Sequence, residues 1–265
     1  MRSQATDSSS RSLAAIILAA GKGTRMNSDL PKVVHKVADQ PMVCWVVEAC
    51  REVGAAPIVL VVGHGAETVK RVFAGDDADL GFAMQEPQLG TGHAVKQARP
   101  IFEGAMENVD VLVLCGDGPL IRAETLRTLL ETHRRTGAGA TLATSVIPDA
   151  TGYGRIVRDG SGRFVRIVEH NDASEAERAI REVNPSYYCF RAKPLFDMLE
   201  RVRNDNAKGE YYLTDVLPLL MENGYGVEVV DAVPAEDVLS INTPAQLAEV
   251  SAILETRMAS AEKNQ

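Results

Sequence analysis

No stretch of this chain is apolar for long: its longest runs, Leu13 to Ala20 and Pro57 to Val62, fall far below the roughly 18 residues of a membrane helix. The N-terminal MRSQATDSSSRS is polar and Ser-rich, without the apolar core of a secretory signal, so residues 1–12 are expected to form a disordered tail. Cysteine is scarce as well. Cys44, Cys50, Cys115 and Cys189 stand in apolar surroundings with no CxxC spacing, which argues against a zinc or disulfide framework and for reduced packing residues of a soluble, cytoplasmic protein. The five histidines, His35, His64, His93, His133 and His170, lack metal-site spacing and read as structural or surface residues. No basic run is present either. With Lys+Arg 28 against Asp+Glu 36 and a net charge of −8, the surface repels nucleic acid, although a local cluster of cations can still dominate the field inside a cleft. There is no internal repeat.

What is present begins at Leu13 to Lys32, LAAIILAAGKGTRMNSDLPK, an apolar run that breaks into glycines and then offers Lys22, Arg25 and Lys32. A buried strand ending in a flexible cationic loop is how α/β proteins offer backbone N–H groups and positive charge to a phosphate. Two familiar phosphate loops do not fit. Gly21 and Gly23 are followed by Met26 where a dinucleotide fingerprint needs its third glycine, and the residues around Gly21 do not supply GxxxxGK[ST]. Arg25 offers a planar multi-donor fork and Lys32 a compact point charge, a pair suited to a polyphosphate undergoing reaction.

At 265 residues the chain is long enough to bury roughly 75% of its unfolded surface, as one large α/β domain or two small ones. Strands are predicted at Ala14 to Leu18, Ile58 to Val62, Phe82 to Gln85, Val111 to Cys115, Thr141 to Val146, Val227 to Asp231 and around Tyr187 to Arg191. Helical patterns lie at Met42 to Val53, Ala66 to Phe73, Gly92 to Phe102, Ala123 to Thr136, Lys193 to Val202 and Tyr211 to Asn223. This alternation predicts a mainly parallel sheet with helices on both faces. From Gly154 to His170 two alternating runs flank Asp159-Gly160-Ser161-Gly162, a hairpin expected to project as a lid or side wall. Thr243-Pro244-Ala245-Gln246 reads as a capping box opening a last helix over 243–265, whose stripe Leu247, Val250, Ile253 and Leu254 should dock on a domain spanning 13–242.

LAAGKGTRM (Leu18 to Met26), DLPK (Asp29 to Lys32), QLGTGHA (Gln88 to Ala94), GDGPLI (Gly116 to Ile121) and TGYGRI (Thr151 to Ile156) resemble the sugar-phosphate nucleotidyltransferases. VEHND (Val168 to Asp172) and GEYYLTD (Gly209 to Asp215) narrow the resemblance to the uridyltransferase half of the bacterial bifunctional N-acetylglucosamine-1-phosphate uridyltransferase/glucosamine-1-phosphate acetyltransferase. It runs in order from about Leu13 to the last helix. It implies a Rossmann-like, mostly parallel but mixed sheet with a small β-hairpin sugar-binding subdomain. The implied activity joins UTP to N-acetylglucosamine 1-phosphate with Mg²⁺. In the bifunctional relatives a hexapeptide-repeat β-helix follows the last helix and mediates trimerisation; this chain stops at Gln265, so acetyltransferase activity is expected to be absent, and no oligomeric state is implied.

Carried over residue by residue, the resemblance puts Arg25 and Lys32 in the catalytic, charge-stabilising role. It puts Leu18, Ala20, Gly21, Gly23, Gln85, Gly90, Thr91 and Gly116 at the nucleotide, and Gly154, Glu169 and Asn184 at the sugar. Asp117 and Asn242 take the metal position. The residues themselves speak for part of this: Asp117 follows an apolar strand, where open α/β sheets place ligand-facing groups, and one carboxylate plus one amide oxygen is enough protein ligation for Mg²⁺. Alone, Asn242 would read as a residue near a helix N-terminus. The chain also departs from the family: Asn184-Pro185-Ser186 stands where NTG is common, Gly118 where valine is usual and Cys115 where tyrosine is frequent. Two alternatives therefore stay open, a nucleotidyltransferase for another sugar phosphate or nucleoside triphosphate, and a sugar-nucleotide-binding module without turnover.

Overall fold

The first apolar run becomes the strand around which the sheet is laid. A computed structural model describes residues 11–76 and 78–263. Strand β1 (Ser12–Ala19) is buried on both faces, with Ala15 and Ile17 packing into one apolar cluster and Ala14 and Ile16 into another. Such continuous apolar burial is what a strand between two helical layers requires, each fully buried branched side chain contributing about 1.5–3 kcal/mol. In chain order the other strands are β2 (Lys36–Val37), β3 (Gln40–Pro41), β4 (Ile58–Val62), β5 (Leu80–Met84), β6 (Val109–Cys115), β7 (Ala140–Val146), β8 (Gly154–Arg158), β9 (Phe164–Val168), β10 (Glu182–Arg191) and β11 (Val227–Asp231). The helices are α1 (Met42–Glu52), α2 (Ala66–Val72), α3 (Thr91–Gln97), α4 (Arg99–Phe102), α5 (Ala123–Thr136), α6 (Glu175–Arg178), α7 (Ala192–Leu199), α8 (Val216–Glu222) and α9 (Pro244–Glu262).

Nine strands form one sheet whose main path is β11-β7-β10-β6-β1-β4-β5, with β8 paired to β10 and β9 to β8. β1 is parallel to both β4 and β6, β5 extends β4 in parallel, and β10 runs antiparallel to β6 and β7. The chain proceeds outward from β1 through β4 to β5 and then returns to place β6 on the other side of β1. The C-terminal ends of β1 and β6, where Leu18 and Cys115 are paired neighbours, are thus a topological switch point, the place where open α/β sheets hold ligands.

The mixed sheet and the hairpin β8–β9 agree with the sequence-based expectation, but several boundaries do not. Residues 1–10 of the expected tail lie outside the described residues, whereas Ser12 already belongs to β1 and Arg11 is buried, its Nε donating to Asp110 Oδ1 at 2.6 Å. The predicted helix over Gly92 to Phe102 is two, α3 and α4, meeting at Ala98; Pro100, which has no N–H to donate, stands at the start of the second. Tyr211 to Asn223 begins as extended chain and a single turn, Leu213–Asp215, before α8. β10 starts at Glu182 rather than near Tyr187; before a bulge between Val183 and Tyr187 it stays paired with β7 and carries β8 on its other edge.

α9 docks as its apolar stripe predicts, with Val250 and Leu254 buried and Leu247 and Ile253 packed beside them. Its cap differs slightly from a capping box. Thr243 Oγ1 accepts the N–H of Gln246 at 3.3 Å, but Gln246 Oε1 reaches back to the N–H of Asn242 at 2.9 Å, so the helix start fixes Asn242.

Candidate active site

After β1 the chain turns through Gly21 and Gly23 into a short turn, Thr24–Met26, flanked by left-handed Gly23 (φ 63°) and Asn27 (φ 49°) and anchored by the buried Met26. Gly23 has a steric reason to be glycine: a β-carbon there would lie 2.6 Å from Lys32 Cβ. A second short turn, Lys32–Val34, is pinned by the buried Val33. Arg25 and Lys32 converge on the same group. Arg25 Nη2 donates to Asn242 Oδ1 at 2.8 Å, Lys32 Nζ donates to the same oxygen at 3.1 Å, and Lys32 Nζ also pairs closely with Asp117 Oδ2. The Lys32 and Asp117 side chains are only 15% and 19% exposed, so this ion pair is sheltered from solvent. A cation therefore already sits between two hard oxygens, Asp117 Oδ2 and Asn242 Oδ1, the donor chemistry a magnesium ion takes.

Two cavities meet at this cluster. The first, about 310 Å³, is lined by Leu18, Ala20, Gly21, Lys32, Gln85, Gly90, Thr91, Cys115 and Asp117 among others. Of its walls, Thr91 and Gly90 are set by a lacing between two loops: Leu213 N–H donates to Thr91 Oγ1 at 3.0 Å, Tyr211 N–H to Leu89 O at 2.8 Å, and Gly92 N–H to Tyr211 O at 2.8 Å. Gly90 has φ 107°, and a β-carbon on it would lie 2.7 Å from Tyr211 O, so a side chain is excluded on two counts.

The second cavity, about 290 Å³, holds Arg25, Asp117, Gly154, Glu169, Asn184, Ser186 and Asn242. At Gly154 a β-carbon would lie 2.9 Å from Ile167 Cγ2 and 3.6 Å from both Glu169 carboxylate oxygens, so the glycine leaves room for that carboxylate. Burial pushes the Glu169 carboxyl above its ordinary value, with Lys208 pulling the other way. Asn184 is buried and largely engaged, its Nδ2 donating to Tyr188 Oη at 2.6 Å and its Oδ1 accepting the Ser186 N–H at 3.0 Å. Asp117 and Cys115 line both cavities. The Cys115 thiol is pushed up to about 12, chiefly by burial and then by Asp117, so it stays protonated and is no nucleophile near neutral pH.

Of the fifteen residues expected at a site, thirteen line these two cavities; Gly23 and Gly116 do not. Gly116 is buried beneath the first cavity, its N–H bonded to Leu18 O at 3.0 Å, and it keeps β6 close to β1 rather than facing the space. Sequence reasoning assigned no role to Ser186, Lys208, Glu210, Tyr212 or Thr214, which line an adjoining recess with Glu169 and Asn184. GEYYLTD contains three of them, Glu210, Tyr212 and Thr214, but only the fold brings it across from Gln85 to Thr91. Cys115, read from its surroundings as a packing residue and from the resemblance as standing where a tyrosine is frequent near the nucleotide, is a cavity wall.

An open α/β sheet with a cationic glycine loop and a carboxylate at its switch point, and a second cavity hung from an antiparallel strand, defines a protein that handles a phosphorylated nucleotide beside a second substrate. The family described as nucleotidyl transferase matches residues 14–238, and the chain belongs to it. It is 50% identical over 246 residues to the Bifunctional protein GlmU of Geobacter metallireducens, covering 93% of this chain and 51% of that protein. The protein of the same name from Brevibacillus brevis is 48% identical over 244 residues, with 92% and 52% covered. The chain thus spans about half the length of these relatives. A solved Bacillus anthracis structure, provisionally named a glucose-1-phosphate thymidylyltransferase and bound to sucrose, superposes with a TM-score of 0.74 at 17% identity, covering 91% of this chain and 95% of that one; this likeness concerns the fold. Among the described residues no helix is long and apolar enough to cross a membrane.

Proposed function

We propose that this chain is a Mg²⁺-dependent uridylyltransferase that forms UDP-N-acetylglucosamine and pyrophosphate from UTP and N-acetylglucosamine 1-phosphate. The observation that carries the reading is the pair of cavities sharing Asp117, with Lys32 on the wall of one and Arg25 and Asn242 on the wall of the other. The half-length identity to the GlmU proteins supports the choice of reaction.

The attacking oxygen of a sugar 1-phosphate is already ionised near neutral pH, its second pKa being about 6, so no general base is required. What the reaction needs is two anions held in line, with positive charge and N–H donors placed where phosphoryl charge accumulates. Arg25 and Lys32 supply the fixed charge, and Leu18, Ala20 and Gly21 line the cavity in which the triphosphate would lie. Asp117 and Asn242 are the residues that would hold Mg²⁺, which when bound neutralises charge on the phosphate oxygens; among the described residues there is no cluster of three or more His, Cys, Asp or Glu, so water and phosphate would complete its shell. Glu169 accepts from sugar hydroxyls, and Asn184 has one amide hydrogen left to offer.

The test is pyrophosphate release with purified protein across a grid of UTP, dTTP and CTP against N-acetylglucosamine, glucose and glucosamine 1-phosphates, with and without Mg²⁺. Fastest turnover with UTP and N-acetylglucosamine 1-phosphate, dependent on the metal, is expected. Turnover confined to another pair rejects the substrates, and tight UDP-sugar binding without turnover rejects the enzyme.

A further inference from the structure

Within that reading, the side chain of Gln85 is unusually constrained. It is 4% exposed and lies on the wall of the nucleotide cavity. Its Nε2 donates to Gly90 O at 3.0 Å and stands 3.2 Å from His93 Nδ1. An amide nitrogen has two hydrogens, and here one meets the Gly90 carbonyl and the other faces the His93 ring nitrogen. The assignment of oxygen and nitrogen is forced, because the Gly90 carbonyl can only accept. Among the described residues no donor is paired with Gln85 Oε1, and that atom is not among the sealed, unpartnered polar atoms of the interior. It is the free end of the amide.

His93 is one helical turn before Gln97 on α3, and its two ring nitrogens each face an amide, Gln85 at 3.2 Å and Gln97 at 3.1 Å. A neutral imidazole has one donor and one acceptor, so the two amides cannot both present nitrogen to it. Turning Gln85 would lose Gly90 O in a buried setting, whereas Gln97 is only half-buried and would give up its Nε2 bond to His93 O at 3.1 Å, which solvent can replace. With the ring proton on Nε2 directed at the Gln97 oxygen, Nδ1 is left to accept from Gln85. Burial, and then Lys96, lower the His93 pKa and keep the ring neutral.

We propose that His93 is a positioning residue that locks the Gln85 amide with its carbonyl oxygen toward the nucleotide, and so sets a preference for a base with a ring N–H, uracil, over cytosine. Uracil N3–H donates to a fixed oxygen; cytosine presents a bare N3 there and meets repulsion. His93 does not line the cavity and touches no substrate; it acts through Gln85. The inference rests on the uridylyltransferase reading.

The experiment uses the full chain and compares kcat and KM for UTP and CTP at saturating N-acetylglucosamine 1-phosphate, with calorimetric titration of both nucleotides. His93→Leu removes the acceptor. The ratio of kcat/KM for UTP over CTP should fall about tenfold, the loss of one oriented hydrogen bond, through a raised KM for UTP, while the KM for the sugar phosphate stays within about twofold. His93→Asn, whose Oδ1 falls near the position of Nδ1, should restore the ratio to within about threefold of the unaltered chain; His93→Gln, whose acceptor falls near Nε2, should not. If the leucine variant does not fold, the asparagine and glutamine pair carries the comparison. A wild-type UTP/CTP ratio in His93→Leu, or equal ratios in the asparagine and glutamine variants, overturns the inference and leaves the functional reading standing. Absence of any UTP preference in the unaltered chain overturns both.

Discussion

The Lys32–Asp117 pair makes a prediction in which two measurements move in opposite directions. Lys32→Met keeps the length of the side chain and removes its charge. At about 4 Å and an effective dielectric near 20, opposite unit charges attract by about 4 kcal/mol, of which desolvation cancels a large part. Exposed pairs keep 0–1 kcal/mol; this one, at 15% and 19% side-chain exposure, should keep about 1–2. A divalent cation entering between Asp117 and Asn242 must displace the ammonium, so removing it should tighten Mn²⁺ binding to the nucleotide-free protein about 5–30-fold. Turnover should fall by about 10²–10³, the usual loss when one charge-stabilising donor is deleted. Mn²⁺ titration followed by electron paramagnetic resonance reads the first quantity and pyrophosphate release the second. In an Asp117→Ala background the methionine substitution should leave metal affinity unchanged, because the group it competes for is gone. Unchanged or weaker Mn²⁺ binding in Lys32→Met would refute the reasoning and move the metal position elsewhere.

Two further outcomes follow from features away from the ion pair. Gly90→Ala should destabilise the fold by about 2 kcal/mol and raise the KM for UTP at least about tenfold, since φ 107° and the Tyr211 carbonyl both oppose a β-carbon; urea melts and steady-state kinetics check it, and a wild-type KM would mean the loop does not form the nucleotide wall. At the opposite end of the sheet, burial pushes the fully enclosed Asp110 carboxyl up, but His133, 3.5 Å away, and Arg11 together outweigh it and hold it at about 2. A lowered folded value means stabilisation that is complete above the ordinary carboxylate range and lost as pH falls from about 4 towards 2, about 2 kcal/mol in all. Denaturant melts between pH 6 and 2.5 should show that loss in the unaltered chain, and its persistence in Asp110→Asn would assign it to other groups.

Much of the fold was legible because local pattern and burial agree. Ile58–Val62 and Ala123–Thr136 take the bounds that their β-branched run and amphipathic period predict. Elements were misread where long-range pairing overrides local signals. Asn184-Pro185-Ser186 lies outside the strand expected around Tyr187 to Arg191, yet it is a bulge inside β10, with Ser186 held at φ 68°. Tyr211 to Leu213 looks helical, yet its backbone is spent on Leu89 and Thr91. Arg11 looks like part of a polar tail, and only its partner 99 residues away shows otherwise. The loop cations and Asp117 could be found from the sequence because the switch point follows from strand order. His93 could not, since its meaning depends on where a neighbouring amide spends its hydrogens.

The antiparallel strand β10 is clamped between β6 and β7 from Tyr187 onward, while at Val183 and Asn184 it also carries β8 and, through it, β9. The hairpin is therefore paired to the main sheet through this one strand, beside the bulge at residues 184–186. Those same residues face the second cavity. One irregular stretch of backbone therefore both carries the hairpin and lines that cavity, so a substitution there alters the two together.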